Sequence, residues 1–309
     1  MTLGLRADIL IIGAGFIAHH LQQKAFALGL RAVTASRRWP AHATRRSWIQ
    51  LDACDESALA CVIDQCQPKS VILVHGPSDI TWCEDHLEEC YAIHTRVAAN
   101  VIEHTSAKTH LIFISSDNVF AGTVKSYGES DAPEPQNAYG CAKLAAERIL
   151  QDAAQDTTIL RTSLVYGLNE VARGWTNFFS LIQGAVATGQ PVQVPVDRWN
   201  TPIWAEDVAR IVMEVLIQNC TGVIHLAGPV SITRYDWAHH IATAMDGDTD
   251  LIRGVPATST RFACRPKYSC LHHERADDQA ALIMRNRVSP HDAATILEGQ
   301  KEMRSLSHG

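Results

Sequence analysis

Short runs dominated by valine, isoleucine and leucine recur along the chain with amphipathic stretches between them. They read DILIIG at 8–13, RAVTAS at 31–36, SVILVHG at 70–76, HLIFISS at 110–116, TTILRTS at 157–163 and GVIHLAG at 222–228. Little apolar/polar alternation inside a run marks a strand buried on both faces, as in a parallel sheet between helix layers. Apolar residues at helical spacing fill 17–28, 55–65, 82–104, 139–155 and 205–218. The order βαβαβ, repeated, predicts an α/β fold with a doubly wound parallel sheet and right-handed crossovers.

Beyond about residue 165 the alternation breaks into irregular Gly, Pro and Trp-rich pieces at 166–177 and 188–204, and a polar tail follows 246. The expected division is a dinucleotide-binding domain over 1–165, with a contribution from about 190–228, and a smaller substrate-binding domain from 166–190 and 229–309. The 309 residues suffice for both. In open α/β sheets ligands bind at the carboxyl edge of the strands, where the later segments would sit.

A net charge of −6 gives no electrostatic reason for nucleic acid or an anionic membrane as partner. The first apolar segment, ADILIIGAGFIA, is short and broken by glycine, so no signal or membrane anchor is expected. Nine cysteines without a C-x-x-C spacing point to a reducing cytoplasm rather than a disulfide framework or a metal site. The histidine doublets at 19/20, 239/240 and 272/273 turn neighbouring rings apart, so no metal is expected there either.

Gly13-Ala14-Gly15-Phe16-Ile17-Ala18 follows the first run and opens the first helix. Glycine allows the tight turn and close backbone approach that a pyrophosphate needs, and the helix start supplies free N–H groups. An NAD site usually carries an acid after the second strand; here stand Ser36, Arg37 and Arg38. A hydroxyl and guanidiniums suit a 2′-phosphate, so NADP is favoured with NAD as the alternative. The competing readings are a ligand-free glycine turn and solvated loop charges. Asp52 is placed to accept from an adenine amino group.

Within NAYGCAKLAAER, Tyr139 and Lys143 stand one helical turn apart. A lysine on the same face favours phenolate and brings the tyrosine toward a useful working range, while also serving to hold a ribose. The fourth long run ends in Ser115-Ser116, which offers a hydroxyl to orient a carbonyl.

These features, with HLIFISSDNVFAG, ILRTSLVYG, TNFF, RWNTPIWAEDVA, GVIHLAGPVSITRYDWAHHIA and RPKYSC, resemble the extended short-chain dehydrogenase/reductases of the dTDP-4-dehydrorhamnose reductase type over about residues 8–275. The resemblance implies a Rossmann sheet, NADPH as reductant and a nucleotide-linked 4-keto deoxysugar as substrate, in polysaccharide or glycosylated-metabolite synthesis. Tyr139 would protonate the developing alkoxide, Ser116 would bond the same oxygen, and Lys143 would tune Tyr139 and hold the cofactor ribose. Gly13, Gly15, Phe16, Ile17, Ser36, Arg37, Asp52, His75 and Gly76 would line the cofactor site. Asp117, Asn118, Leu164, Asn177 and Phe178 would face the sugar nucleotide.

Departures from the family pattern concentrate near the sugar. The usual S-T-D-Y-V-F reads SSDNVF and T-S-W-V-Y-G reads TSLVYG, so two aromatic positions become Asn118 and Leu164. They point to a keto sugar related to the rhamnose precursor rather than to that precursor itself. The usual N-A-A reads His75-Gly76-Pro77, and a helix asparagine is His94. Trp175, Trp199 and Trp204 lie in the substrate segments, where stacking on a base or sugar competes with plain packing. Cys141 is expected to pack in the core. Two rival functions remain: a sugar-nucleotide epimerase or dehydratase on the same scaffold, and a cofactor-binding regulatory subunit without chemistry. A homodimer is considered for the assembly, and the tail 271–309 is a candidate surface or oligomer helix.

Overall fold

The computed structural model describes residues 6–38, 47–167, 177–258, 263–274 and 283–292. The first part of the chain runs β1 (Ile9–Ile12), α1 (Phe16–Ala27), β2 (Ala32–Ser36), β3 (Trp48–Gln50), α2 (Glu56–Cys66), β4 (Ser70–Leu73), α3 (Ile80–Asp85), α4 (Leu87–His104), β5 (His110–Ser116), α5 (Ala138–Gln151) and β6 (Thr157–Thr162). It continues through β7 (Val165–Tyr166), α6 (Phe178–Thr188), β8 (Val192–Pro195), β9 (Trp199–Asn200), β10 (Ile203–Trp204), α7 (Ala205–Ile217), β11 (Gly222–Leu226), β12 (Ile232–Thr233), α8 (Arg234–Ala244), β13 (Ile252–Val255) and β14 (Tyr268–Ser269).

Seven strands form one parallel sheet in the order β11-β6-β5-β4-β1-β2-β3. The chain winds outward from β1 in both directions, so the order reverses between β1 and β4, and a crevice opens at the strands' carboxyl ends there. Every residue of β1, β4 and β5 is buried, as their unalternating apolar runs require. Side chains alternate across the sheet. Ile9 and Ile11 pack toward α1 and α7, while Leu10 and Ile12 pack toward α2, α4 and α5. Burying each such side chain contributes about 1.5–3 kcal/mol, which makes this central layer the main source of stability.

The single helix expected over 82–104 is two. Asp79 caps α3 by accepting from the backbone N–H groups of Thr81 and Trp82. The chain then breaks at His86, with φ −134° and ψ 52°, before α4 begins. The apolar spacing runs through the break, so periodicity does not reveal it. The helix expected to reach residue 155 ends at Gln151.

The later segments form short sheets, β10-β7, β12-β9-β14 and β13-β8. They surround a second apolar cluster that includes Tyr166, Phe178, Phe179, Trp204 and Trp237. Trp204 is therefore a packing residue. Cys141 is exposed rather than in the core. Glu129 fastens the segment after β14 to the loop before α5: it lies 2.6 Å from His273 Nδ1 and accepts from the backbone N–H groups of Glu274 and His225, each at 2.8 Å. Trp175 and most of the tail lie outside the described residues. Among those described, no helix is long and apolar enough to cross a membrane.

Candidate active site

A groove of about 1530 Å³ runs along the carboxyl ends of the strands. At its floor Gly13 has φ +120°, and a Cβ there would lie 2.5 Å from the Val74 carbonyl oxygen. Only glycine fits that turn. Gly15 begins α1 without a side-chain cap, which leaves the first N–H groups of the helix facing the groove.

Gly13, Gly15, Phe16, Ile17, Ser36, Arg37, Asp52, His75 and Gly76 all line the groove. Ser36 Oγ accepts from Trp48 Nε1 at 2.8 Å and donates to the Arg38 carbonyl at 2.8 Å, so its hydroxyl serves the loop. Arg37 is exposed at that end. Arg96, which the sequence reading did not single out, lines the groove from α4, and the fields of both arginines reach the Cys54 thiol. An uncapped helix start, a glycine cradle and two guanidiniums make a donor set that fits a dinucleotide carrying a 2′-phosphate.

Midway along the groove stand Ser116, at the end of β5, and Tyr139 and Lys143, on α5. The helix starts here because Asn137 caps it, accepting from the Gly140 N–H. Lys143 is buried, donates to the Ile114 carbonyl at 3.0 Å and lies 4.6 Å from the centre of the Phe113 ring. Burial brings its ammonium down to about 7, opposed by Glu147. The expectation that Lys143 lowers Tyr139 is not met as the side chains stand. Burial and the Asp117 carboxylate push the phenol above its ordinary value, against a hydrogen bond with Ser116. The ammonium is turned toward a carbonyl and sits 5.8 Å from the tyrosine ring centre.

Asp117, Asn118, Leu164, Asn177 and Phe178 also line the groove. Asp117 is buried, and burial pushes its carboxyl up to about 6 against hydrogen bonds from Ser163, Ser116 and Asn118. His75 and His94 are neutral: burial and the nearby Lys143 charge bring His75 down to about 3, and His94 falls well below its ordinary value. The His94 ring fills the space beside Gly76.

Trp199 is the exception among the sequence-predicted residues. It does not line the groove, whereas Asn200, the other residue of β9, does, because successive strand side chains point to opposite faces; Arg198, just before the strand, lines the groove as well. Arg198, Arg234 and Arg265 instead line the far end of the groove, and the fields of Arg198 and Arg265 both act on Arg234. Arg234 donates to Asn200 Oδ1 at 3.1 Å and stacks over Phe178. Arg198 Nε is buried and has no hydrogen-bond partner among the described residues. Arg234 begins α8, where a cation opposes the helix dipole. That misplaced charge was the signal available in the sequence.

A probable low-salt glycan biosynthesis reductase, Agl14, of Haloferax volcanii is 30% identical over 72% of this chain and 75% of its own length. A dTDP-4-keto-6-deoxy-D-glucose reductase of Streptomyces niveus is 29% identical over 72% of this chain and 77% of its own. In fold, the chain matches the crystal structure of dTDP-4-dehydrorhamnose reductase from Bacillus anthracis in complex with NADP, with a TM-score of 0.79 at 20% identity over 96% and 99% of the two chains. The family described as RmlD substrate binding domain matches residues 7–289, and this chain belongs to it.

Proposed function

We propose that the protein uses NADPH to reduce the keto carbon of a nucleotide-linked 4-keto deoxysugar. The observation that carries this reading is the order of groups in one groove: glycine turn, then Ser116, Tyr139 and Lys143, then three arginines. The arginines suit a diphosphate, and Arg198 Nε, unbonded among the described residues, supports an anion there. In this reading 1–165 with about 190–228 holds the cofactor, and 166–190 with 229–309 holds the sugar nucleotide.

Bound NADPH supplies the hydride. Tyr139 donates its phenolic proton to the oxygen of the reacting carbon. Burial keeps that proton on the phenol until charge develops on the acceptor. Ser116 donates a second hydrogen bond to the same oxygen. Lys143 holds the ribose and supplies positive charge beside the phenol. Asn118 and Leu164 leave a less bulky sugar wall than two aromatic rings, which favours a substrate other than the rhamnose precursor.

The test is NADPH absorbance decay with dTDP-, UDP- and GDP-linked 4-keto-6-deoxy sugars, beside Tyr139→Phe. Turnover of a panel member, lost in the variant, supports the reading. NADPH binding without turnover of any member contradicts it.

A further inference from the structure

Asn137 and Asn118 are joined side chain to side chain at the base of the groove, and neither amide is free to choose its direction. Asn137 Oδ1 accepts from the backbone N–H of Gly140 at 2.7 Å, so its nitrogen faces the other way. That nitrogen donates to Asn118 Oδ1 at 2.9 Å and to the Cys264 carbonyl at 3.1 Å. Asn118 must then turn its own nitrogen to the opposite side, where it donates to Asp117 Oδ1 at 2.8 Å and Ser116 Oγ at 3.2 Å. The Asn118 backbone N–H reaches the same serine oxygen at 3.2 Å. A Cβ on Gly140 would lie 2.0 Å from the Asn118 carbonyl oxygen, so the first turn of α5 rests directly on this loop.

A hydroxyl has two lone pairs and one proton. Here two N–H groups cover the lone pairs of Ser116, and its proton goes to Asp117 Oδ1 at 3.0 Å. Were the lone pairs open, Tyr139 would donate to Ser116. With them covered, the phenolic proton has no serine lone pair to enter and stays available to an external acceptor; a carbonyl oxygen, which can only accept, takes it together with the serine proton that Asp117 otherwise holds.

We infer that Asn137 and Asn118 are positioning residues that set the hydrogen-bond polarity of the carbonyl site, holding Ser116 as a donor. The direction originates in one helix-capping N–H and passes through two amides. Asn118, expected to touch the sugar, has both side-chain polar atoms engaged within the protein. Its kinetic consequence rests on the reductase reading; its geometry does not.

Two variants separate polarity from packing. Asn137→Asp keeps the size and the capping oxygen but brings no N–H, so Asn118 must reverse and offer its oxygen to Ser116, which draws the serine proton away from the carbonyl. Asn137→Ser keeps a cap and leaves Asn118 as it is. The expected kcat loss is about a hundredfold for Asp and roughly tenfold or less for Ser, with the NADPH Kd and Tm unchanged in both. Equal losses, or a milder Asp variant, would mean a packing role and overturn the inference. Neutron diffraction of deuterium-exchanged wild-type crystals reads the polarity without substrate. Deuterium on the Asn118 atom facing Ser116 supports the inference, and a bare oxygen there overturns it. If the neutron result holds while no sugar is turned over, only the proposed function fails.

Discussion

Arg161 and Glu147 form an ion pair, with Nη2 2.7 Å from Oε2, and their side chains are 5% and 0% exposed. The pair ties α5 to β6, and Ser115 at the end of β5 donates to the same carboxylate at 2.5 Å. Glu147 lies one helical turn beyond Lys143, so β5 and β6 are both fixed to the helix that carries Tyr139 and Lys143. Consecutive serines thereby divide two tasks: Ser115 anchors the helix, and Ser116 turns toward Tyr139, because strand neighbours point to opposite faces.

Removing the acid alone strands the Arg161 guanidinium among apolar groups. Glu147→Gln is expected to destabilise the fold by about 3–5 kcal/mol, and Glu147→Leu with Arg161→Met by much less. Urea unfolding of wild type and the two variants measures this. A single-variant loss no greater than that of the double variant would show the pair to be dispensable.

Asp117 gives a pH signature. Its folded value of about 6 lies above its ordinary value of 3.8. The folded state therefore holds a proton that the unfolded chain has released between those values, and wild-type stability falls as pH rises through about 6. Asp117→Asn removes this penalty: it should gain stability over wild type above pH 6 and lose the advantage below the ordinary carboxylate range. Denaturant midpoints at several pH values test it, and a pH-independent difference would rule the assignment out.

Arg37 is expected to read the 2′-phosphate. Arg37→Ala should weaken NADPH binding by about ten- to a hundredfold while NADH binding stays constant. Arg38, exposed and absent from the groove lining, is the control. Fluorescence titration with both cofactors decides it; equal losses for NADPH and NADH would point to a general fold effect.

At the opposite end, Arg234→Leu should raise the KM for the nucleotide sugar by about tenfold or more and leave the NADPH Kd unchanged. A fall in kcat at constant KM would place Arg234 in the reaction rather than in substrate capture.

Much of this was legible in the sequence, because long unalternating strands and a glycine turn obey strong local rules. The six apolar runs became β1, β2, β4, β5, β6 and β11, and the Tyr139–Lys143 spacing put both residues on the groove face of α5. The break at His86 was hidden because the amphipathic pattern continues across it. The two-residue strands were too short to show a period of two. Trp199 drew attention by its size, but the groove is lined by Asn200 of β9 and by Arg198 just before the strand. The amide chain from Asn137 to Ser116 joins positions 21 residues apart, and no local pattern announces such a link.

The most direct test of the central claim is to follow deuterium from NADPH labelled at its transferable position while counting cofactor oxidised and sugar converted. The account predicts one deuterium at the former keto carbon and one NADPH oxidised for each sugar reduced. Sugar conversion without net NADPH oxidation would contradict it and identify an enzyme that reoxidises its cofactor in every cycle.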